Sequence, residues 1–201
     1  SHGHYDHGGG LEAFLAVNSK APVFVSQYAF DPCFSGSERY IGLNPELKHH
    51  PRLRYVAERL NLGETLSIFS CNECPRSFAM GSYGLNVLRN NALIPDDFRH
   101  EQYLLIQEGG KRVLISGCSH KGILNIMGWC PPDTLIGGFH FMKVDPSGPE
   151  HTVLDEAAQG LMRYGTQYYT CHCTGLAPYE YLKTRMGDQL HYLASGQQIT
   201  L

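Results

Sequence analysis

The chain has 201 residues, of which 42% are hydrophobic and 17% are charged, and its formal net charge is −3. This length suits one domain, and the hydrophobic content is enough for a sizeable core. The weak negative charge, without a block of lysines and arginines, argues against nucleic acid as a partner. No apolar run approaches the roughly 20 residues that a membrane-spanning helix needs. We therefore expect a globular protein that acts on a small-molecule substrate, with no nucleic-acid or membrane partner and an oligomeric state that the sequence leaves open.

The cysteine content indicates the redox environment. There are seven cysteines: Cys33, Cys71, Cys74, Cys118, Cys130, Cys171 and Cys173. An odd number in a domain of this size argues against a disulfide framework and favours a reducing compartment. We predict a cytoplasmic location, and the sequence leaves open a signal peptide upstream of Ser1.

The first seven residues, Ser-His-Gly-His-Tyr-Asp-His, contain three imidazoles and one carboxylate. Both groups are ligands for zinc and similar metals. In an extended segment His2, His4 and Asp6 would point the same way, and a twist after Asp6 could turn His7 toward them. So many ligands in so short a run lead us to predict two adjacent metals, one on His2 and His4 and the other on Asp6 and His7. A tag remnant or a surface histidine cluster is the alternative, but the interposed aspartate and the three glycines that follow argue against it.

Beyond this motif, hydrophobic periodicity predicts short strands that alternate with helices. The predicted elements are a helix over 11–17, a strand over 22–26, a long irregular stretch over 28–52, strands over 53–56 and 64–69, a hairpin over 102–107 and 112–116, a strand at 135–136, a helix over 149–164, a strand over 167–170, a helix over 178–186 and a strand over 190–193. This order predicts an α/β (or α+β) chain with a two-layer β core and helices outside.

Three further motifs follow predicted strands. They are Ile115-Ser116-Gly117-Cys118-Ser119-His120-Lys121-Gly122-Ile123, Gly137-Gly138-Phe139-His140 and Thr170-Cys171-His172-Cys173-Thr174-Gly175. The carboxyl ends of strands are where open α/β sheets gather their chemistry. We therefore expect these motifs to lie near one another.

His-x-His-x-Asp-His followed by glycines is the signature of the metallo-β-lactamase superfamily, which the opening residues resemble. The three later motifs resemble one subgroup, related to 7,8-dihydropterin-6-yl-methyl-4-(β-D-ribofuranosyl)aminobenzene 5'-phosphate synthase. The resemblance implies an αββα metallo-β-lactamase-type sandwich over residues 1–201. Members of the superfamily begin with several strands before the histidine motif, whereas this chain starts on it. We therefore expect a domain that lacks its first β-strands and is incomplete at the N-terminus.

The resemblance also implies further metal ligands. His120 is expected to bind a metal, and His172 is expected to bind the Asp6/His7 metal, with a buried structural histidine as the alternative for each. Many members carry an aspartate after the glycine that ends this hairpin, but here Gly117 is followed by Cys118. Either Cys118 takes the place of that aspartate or His120 has assumed a ligand role there. A thiolate would favour zinc.

His140 is either a further ligand or a substrate-contacting residue, and we favour the second role because six other ligands suffice for two ions. Those six are His2, His4, Asp6, His7, His120 and His172. The expected cofactors are two divalent metals, zinc first, with manganese or iron as alternatives. Asp6 is also expected to orient the nucleophile, and His140 to protonate the leaving group.

Two neighbouring divalent ions lower the pKa of a shared water, and the resulting hydroxide attacks carbonyl or phosphorus centres. We predict a dinuclear hydrolase acting on an ester, a lactone or a phosphoester. The first alternative is a metal-dependent transferase that condenses a pterin diphosphate with a ribosylaminobenzene phosphate. The second is a non-catalytic or redox di-metal module. A phosphorylated substrate would need a cationic and aromatic lining, for which the sequence offers Arg39, Tyr40, Arg76, Phe78, Tyr83, Arg89 and Lys121, each with an ordinary loop or packing role as its alternative.

Overall fold

A computed structural model describes residues 1–200 of the chain. The helices are α1 (Tyr5–Gly8), α2 (Leu11–Val17), α3 (Ile123–Trp129), α4 (His151–Leu161) and α5 (Leu176–Met186), with 3₁₀ helices at Pro45–His49, His172–Thr174 and Gly187–Gln189. The strands are β1 (Val23–Ser26), β2 (Cys33–Ser35), β3 (Arg39–Tyr40), β4 (Leu53–Val56), β5 (Arg59–Asn61), β6 (Leu66–Phe69), β7 (Leu85–Arg89), β8 (Ala92–Pro95), β9 (Tyr103–Glu108), β10 (Lys111–Ile115), β11 (Thr134–Ile136), β12 (Gln167–Thr170) and β13 (Leu190–Tyr192). In residues 1–200, none of these helices has the length and apolar character needed to cross a membrane.

The largest sheet has seven strands in the order β13-β12-β11-β10-β9-β6-β5. Strands β10 to β13 run parallel to one another, whereas β10, β9, β6 and β5 pair antiparallel. A second sheet has the order β3-β2-β7-β8, and β1 pairs with β4 in parallel. The predicted mixed α/β class is therefore confirmed. Because β10, β11 and β12 are parallel neighbours, their carboxyl ends meet at one edge of the large sheet.

The main hydrophobic core holds the large sheet against α3, α4 and α5. It includes Leu114, Leu135 and Tyr168 from the sheet and Ile126 and Leu182 from the helices, all fully buried. The buried residues of α4 recur at helical spacing, which is the pattern of a helix with one face on a core. Each such buried side chain contributes about 1.5–3 kcal/mol. This packing gives the loops after β10, β11 and β12 a rigid base.

The sequence analysis missed the second sheet. The stretch over 28–52 was predicted to be irregular, but it contains β2, β3 and a 3₁₀ helix. These strands are two or three residues long, too short for a clear period-two pattern, and β2 pairs with β7 some fifty residues later. Helix α3 was also not predicted. The predicted helix over 149–164 is shorter, and extends from His151 to Leu161.

Candidate metal centre

The opening histidine motif is extended only as far as His4 and then turns into α1. His4 has φ −94° and ψ 147°, and Tyr5 is the first helical residue. Asp6 and His7 therefore lie on a helical turn, and the strand alternation that was expected to align Asp6 with the first two histidines does not apply. Gly3 lies against the Ala29 carbonyl oxygen, so closely that a Cβ at this position would overlap it.

His2, His4 and His120 form the first ligand cluster. One ring nitrogen from each lies within 4.8 Å of the others, and the three side chains are 6%, 4% and 1% exposed. Nε2 of His2, Nε2 of His4 and both ring nitrogens of His120 have no hydrogen-bond partner in residues 1–200. Unpartnered buried polar atoms are costly, and a bound cation would satisfy them. Burial lowers the pKa of all three imidazoles, which favours the neutral form that binds metals.

Asp6, His7 and His172 form the second ligand cluster. Oδ2 of Asp6 lies 3.6 Å from Nε2 of His7 and 3.5 Å from Nε2 of His172, and the two Nε2 atoms are 3.1 Å apart. Burial lowers the pKa of His7 to about 4. The side chains of Asp6 and His172 are 41% and 49% exposed. The second cluster is therefore open to solvent, whereas the first is enclosed.

Cys118 lies between the two clusters. Its Sγ is 3.1 Å from Nε2 of His7 and within 4.8 Å of ligand nitrogens on both His2 and His7. The sequence left open whether Cys118 or His120 fills this region, and the structure places both there. A thiolate at Cys118 is positioned to reach an ion in either cluster.

Cys173 and His140 add a second set of groups around Cys118. The three offer ligand atoms within 4.8 Å of one another. A hydrogen bond from Cys118 lowers the pKa of the Cys173 thiol to about 5, and this effect exceeds the opposing effect of burial. The same hydrogen bond and burial both raise the pKa of the Cys118 thiol. The strand β12 ends at Thr170, and the 3₁₀ turn that follows holds Cys173, which is buried.

The three later motifs lie at the carboxyl ends of β10, β11 and β12. Each contains a non-glycine residue in the left-handed region: Ser119 (φ 55°), His140 (φ 57°) and His172 (φ 49°). Such conformations cost about 1–3 kcal/mol each and gather at functional sites. Here they bend the chain immediately after each strand and bring the side chains of three loops together.

The buried carboxylate of Glu101 supports the loop that carries His120. It accepts hydrogen bonds from the backbone amides of His120 at 2.7 Å and Lys121 at 3.0 Å, and from the Tyr103 hydroxyl at 2.8 Å. The Lys121 ammonium is also buried and donates to the carbonyl oxygens of Ser70 and Glu101. Burial lowers the pKa of Lys121 to about 8. The sequence offered Lys121 as a residue that could contact a phosphate, but its side chain points into the protein.

His100 and Asp96 lie behind His4. The Gly3 amide donates to Nδ1 of His100 at 3.1 Å, so Nε2 carries the proton and donates to Oδ2 of Asp96 at 3.0 Å. The same Oδ2 lies 3.7 Å from Nε2 of His4. All of these side chains are buried. The sequence offered no sign of this arrangement beyond a histidine and an aspartate shortly before β9.

A cavity of about 240 Å³ opens beside both clusters. Its lining includes His120, His140 and His172, together with Tyr5, Arg39 and Lys143. Other residues suggested for a substrate lining have different roles. Arg76 and Arg89 bind Asp97, and the Tyr40 hydroxyl donates to the Leu43 carbonyl oxygen. The Tyr83 ring contacts His140 at a centroid distance of 4.9 Å.

Comparison with known proteins supports this interpretation of the fold. A crystal structure described as a metal-dependent hydrolase of the β-lactamase superfamily matches with a TM-score of 0.80 and 25% identity, over 100% of this chain and 77% of the other. The 7,8-dihydropterin-6-methyl-4-(β-D-ribofuranosyl)-aminobenzene-5'-phosphate synthase of Methanocaldococcus jannaschii is 26% identical, over 99% of this chain and 73% of that protein. An uncharacterized protein of the same organism is 27% identical over 72% of this chain, and the match covers 57% of that protein's length. No family model matches the chain.

Proposed function

The chain has the fold of the metallo-β-lactamase superfamily and resembles its pterin-synthase subgroup, and from that premise we propose that it is a metal-dependent hydrolase with two divalent ions. The observation that carries the proposal is the first ligand cluster. Three buried imidazoles with unpartnered nitrogens converge beside a cavity, and this arrangement is stable when a cation satisfies them.

We assign one ion to His2, His4 and His120 and the other to Asp6, His7 and His172. Cys118 lies within reach of both ligand sets. Imidazole nitrogen and thiolate sulfur suit zinc, while the carboxylate in the second set also suits manganese or iron. The enclosed first set is expected to hold its ion more tightly than the exposed second set, because fewer competing waters reach it.

When bound, a pair of divalent ions would lower the pKa of water and polarise the carbonyl or phosphoryl oxygen of the centre under attack. The remaining roles belong to the protein. The Asp6 carboxylate, exposed to the cavity, accepts a hydrogen bond from the attacking water and orients it. His140 adjoins His120 with a centroid distance of 4.3 Å, and its Nδ1 has no partner in residues 1–200. We assign His140 as the general acid, which donates a proton to the leaving-group oxygen. The substrate class proposed is an ester, a lactone or a phosphoester.

A second candidate function is a transferase that joins a pterin diphosphate to a ribosylaminobenzene phosphate. It is favoured by the similarity to the pterin synthase, which extends over 99% of this chain. In that reaction the amine partner forms a bond to the pterin methyl carbon, and diphosphate leaves with the bonding electron pair. A cavity that accommodates anionic oxygens would serve either reaction.

The test is turnover of three substrate types, an aryl ester, a lactone and an aryl phosphodiester, by protein loaded with zinc, manganese or iron. The hydrolase proposal expects at least one to be cleaved, with the activity lost in chelator and restored by metal. His120→Ala should lower this rate by about 100-fold or more, because it removes a ligand of the first ion and even loss of a group that only supports a ligand costs about 10- to 100-fold. His49→Ala, at an exposed position, should not lower it. Cleavage that is unaffected by both chelator and His120→Ala would contradict the proposal. Diphosphate release only when pterin and amine substrates are both present would favour the transferase.

A further inference from the structure

We propose that Arg39 and Lys143 form a binding site for an oxyanion group of the substrate, a phosphate or a carboxylate separate from the bond that is cleaved. This inference rests on the proposed function and names the substrate class of the same cavity. It requires that both cations face the cavity, that they are held in position, and that no carboxylate of the protein neutralises them.

Both cations line the cavity of about 240 Å³ that also borders Asp6, His120 and His172. They come from distant parts of the chain. Arg39 is in β3 of the smaller sheet, and Lys143 follows His140 by three residues after β11. A ligand in this cavity would therefore meet two positive groups of the lining, one from each of these parts of the chain.

Each cation is oriented by one hydrogen bond that leaves its other donors free. Nη2 of Arg39 donates to the Tyr5 hydroxyl at 2.9 Å, and its Cζ lies 5.6 Å from the centre of the Tyr5 ring. Nζ of Lys143 donates to the Tyr83 carbonyl oxygen at 3.2 Å. A guanidinium has five N–H donors and an ammonium has three. Most of their capacity is thus available to a ligand.

Within residues 1–200, no carboxylate oxygen lies within 4.0 Å of Arg39 or Lys143, and the ion pairs of this range involve other cations. Asp6 is the acidic residue of the cavity lining, and its oxygen faces His7 and His172. In a chain of net charge −3, two unpaired cations beside the ligand clusters are not part of a general basic surface.

An oxyanion is the ligand that this pair matches chemically. Arg presents a planar fork that binds phosphate and carboxylate through two parallel hydrogen bonds, and Lys adds a compact charge. A substrate with such a group would be held in the cavity by these two cations while its scissile bond lies near the ligand clusters. The competing explanation is two solvated cations that contact no substrate.

The test is isothermal titration of the metal-loaded protein with inorganic phosphate and, separately, with succinate. The test variant is R39Q/K143Q. The control variant, R163Q/K20Q, removes the same charge from exposed positions that do not line the cavity. We expect R39Q/K143Q to bind the preferred anion at least about tenfold more weakly than wild type, as loss of charge-assisted hydrogen bonds does, and the control to stay within about twofold. Metal content measured in parallel should be the same in all three proteins.

A drop confined to phosphate would identify a phosphorylated substrate, and a drop confined to succinate a carboxylate. Equal affinities in all three proteins, or no binding of either anion to wild type, would overturn the proposal. Turnover of a neutral aryl ester by wild type is measured on the same preparations. If the ester is cleaved but the affinities are equal, the anion site alone is wrong. If the affinities differ but no hydrolase substrate is cleaved, the hydrolase proposal is wrong.

Discussion

The buried carboxylate of Glu101 holds the backbone of His120, because it accepts hydrogen bonds from the amide of His120 at 2.7 Å and from the amide of Lys121 at 3.0 Å. These two bonds position the turn that follows β10, in which Ser119 has a φ of 55°. Among the described residues, 1–200, neither ring nitrogen of His120 has a hydrogen-bond partner. The direction of its ring therefore depends on this turn and on Phe98, which stacks on it at 4.5 Å.

The first prediction concerns Glu101→Gln. An amide can accept fewer of the three hydrogen bonds that the carboxylate receives, so the free energy of unfolding of metal-free protein should fall by about 2 kcal/mol. The displaced turn should also weaken zinc binding by about 10- to 100-fold, measured by competition with a chromophoric chelator. Glu108→Gln, on the exposed hairpin end, should change neither quantity. Unchanged zinc affinity in a destabilised Glu101→Gln protein would limit Glu101 to a structural role.

The second prediction concerns Asp96→Asn, which removes the negative charge 3.7 Å from Nε2 of His4. The Asn side chain can still accept the hydrogen bond from His100, but it is neutral and presents no negative charge to His4. We therefore expect the His4 ring to be less firmly oriented. Loss of such a supporting carboxylate typically weakens metal binding by about tenfold or more. Zinc affinity is compared with that of Asp188→Asn, at an exposed position. Equal affinities in the two variants would show that Asp96 has no influence on the metal centre.

The sequence predicted the candidate ligands better than it predicted their supports. The spacing in the first seven residues and the motifs after β10 and β12 are local patterns, and the structure brings His2, His4 and His120 together as one cluster. Glu101, Asp96 and His100 act through contacts with residues far away in the chain, which no local pattern encodes. For Lys121 the structure favours the alternative of an ordinary packing role, because proximity to His120 in sequence does not determine which way its side chain points.

The third prediction concerns Cys118. In protein loaded with Co²⁺, a thiolate ligand gives a near-ultraviolet charge-transfer band that imidazole and carboxylate do not give. We expect this band in wild type and its loss in Cys118→Ser, since Sγ lies within reach of ligand atoms in both clusters. Cys74→Ser, in the loop after β6, should keep the band. If the band survives in Cys118→Ser and disappears in Cys173→Ser, the thiolate ligand is Cys173 instead.

The fourth prediction concerns Gly3→Ala. The added methyl group would overlap the Ala29 carbonyl oxygen, which is backbone and cannot rotate away. Overpacking of this kind costs about 1–3 kcal/mol, and here it also displaces the two histidines on either side. We expect a lower midpoint in urea denaturation and loss of metal from the first cluster. Gly10→Ala, where the new methyl meets nothing within 4 Å, is the control. Full stability of Gly3→Ala would mean that the opening segment has room to shift.

The last prediction concerns Asp97, whose carboxylate receives two hydrogen bonds of 2.6 Å from the Arg89 guanidinium. Partial burial opposes ionisation, but the hydrogen bonds and charge of Arg89 outweigh it, so the pKa of Asp97 is lowered. A carboxyl group with a lower pKa in the folded state contributes stability above its unfolded pKa of about 3.9, and this contribution is lost as the pH falls through the folded pKa.

Because the Asp97 side chain is 48% exposed, the contribution is small. We expect Asp97→Asn to lower the free energy of unfolding at neutral pH by less than about 1 kcal/mol. Urea denaturation measures this difference at about pH 7, where it should be greatest, and at about pH 3, where it should be smaller because Asp97 is already largely protonated in the unfolded state. High salt at neutral pH should shrink it too, since the pair is open to solvent. A difference that is the same at both pH values would show that Asp97 acts through its shape and neutral hydrogen bonds rather than through its charge.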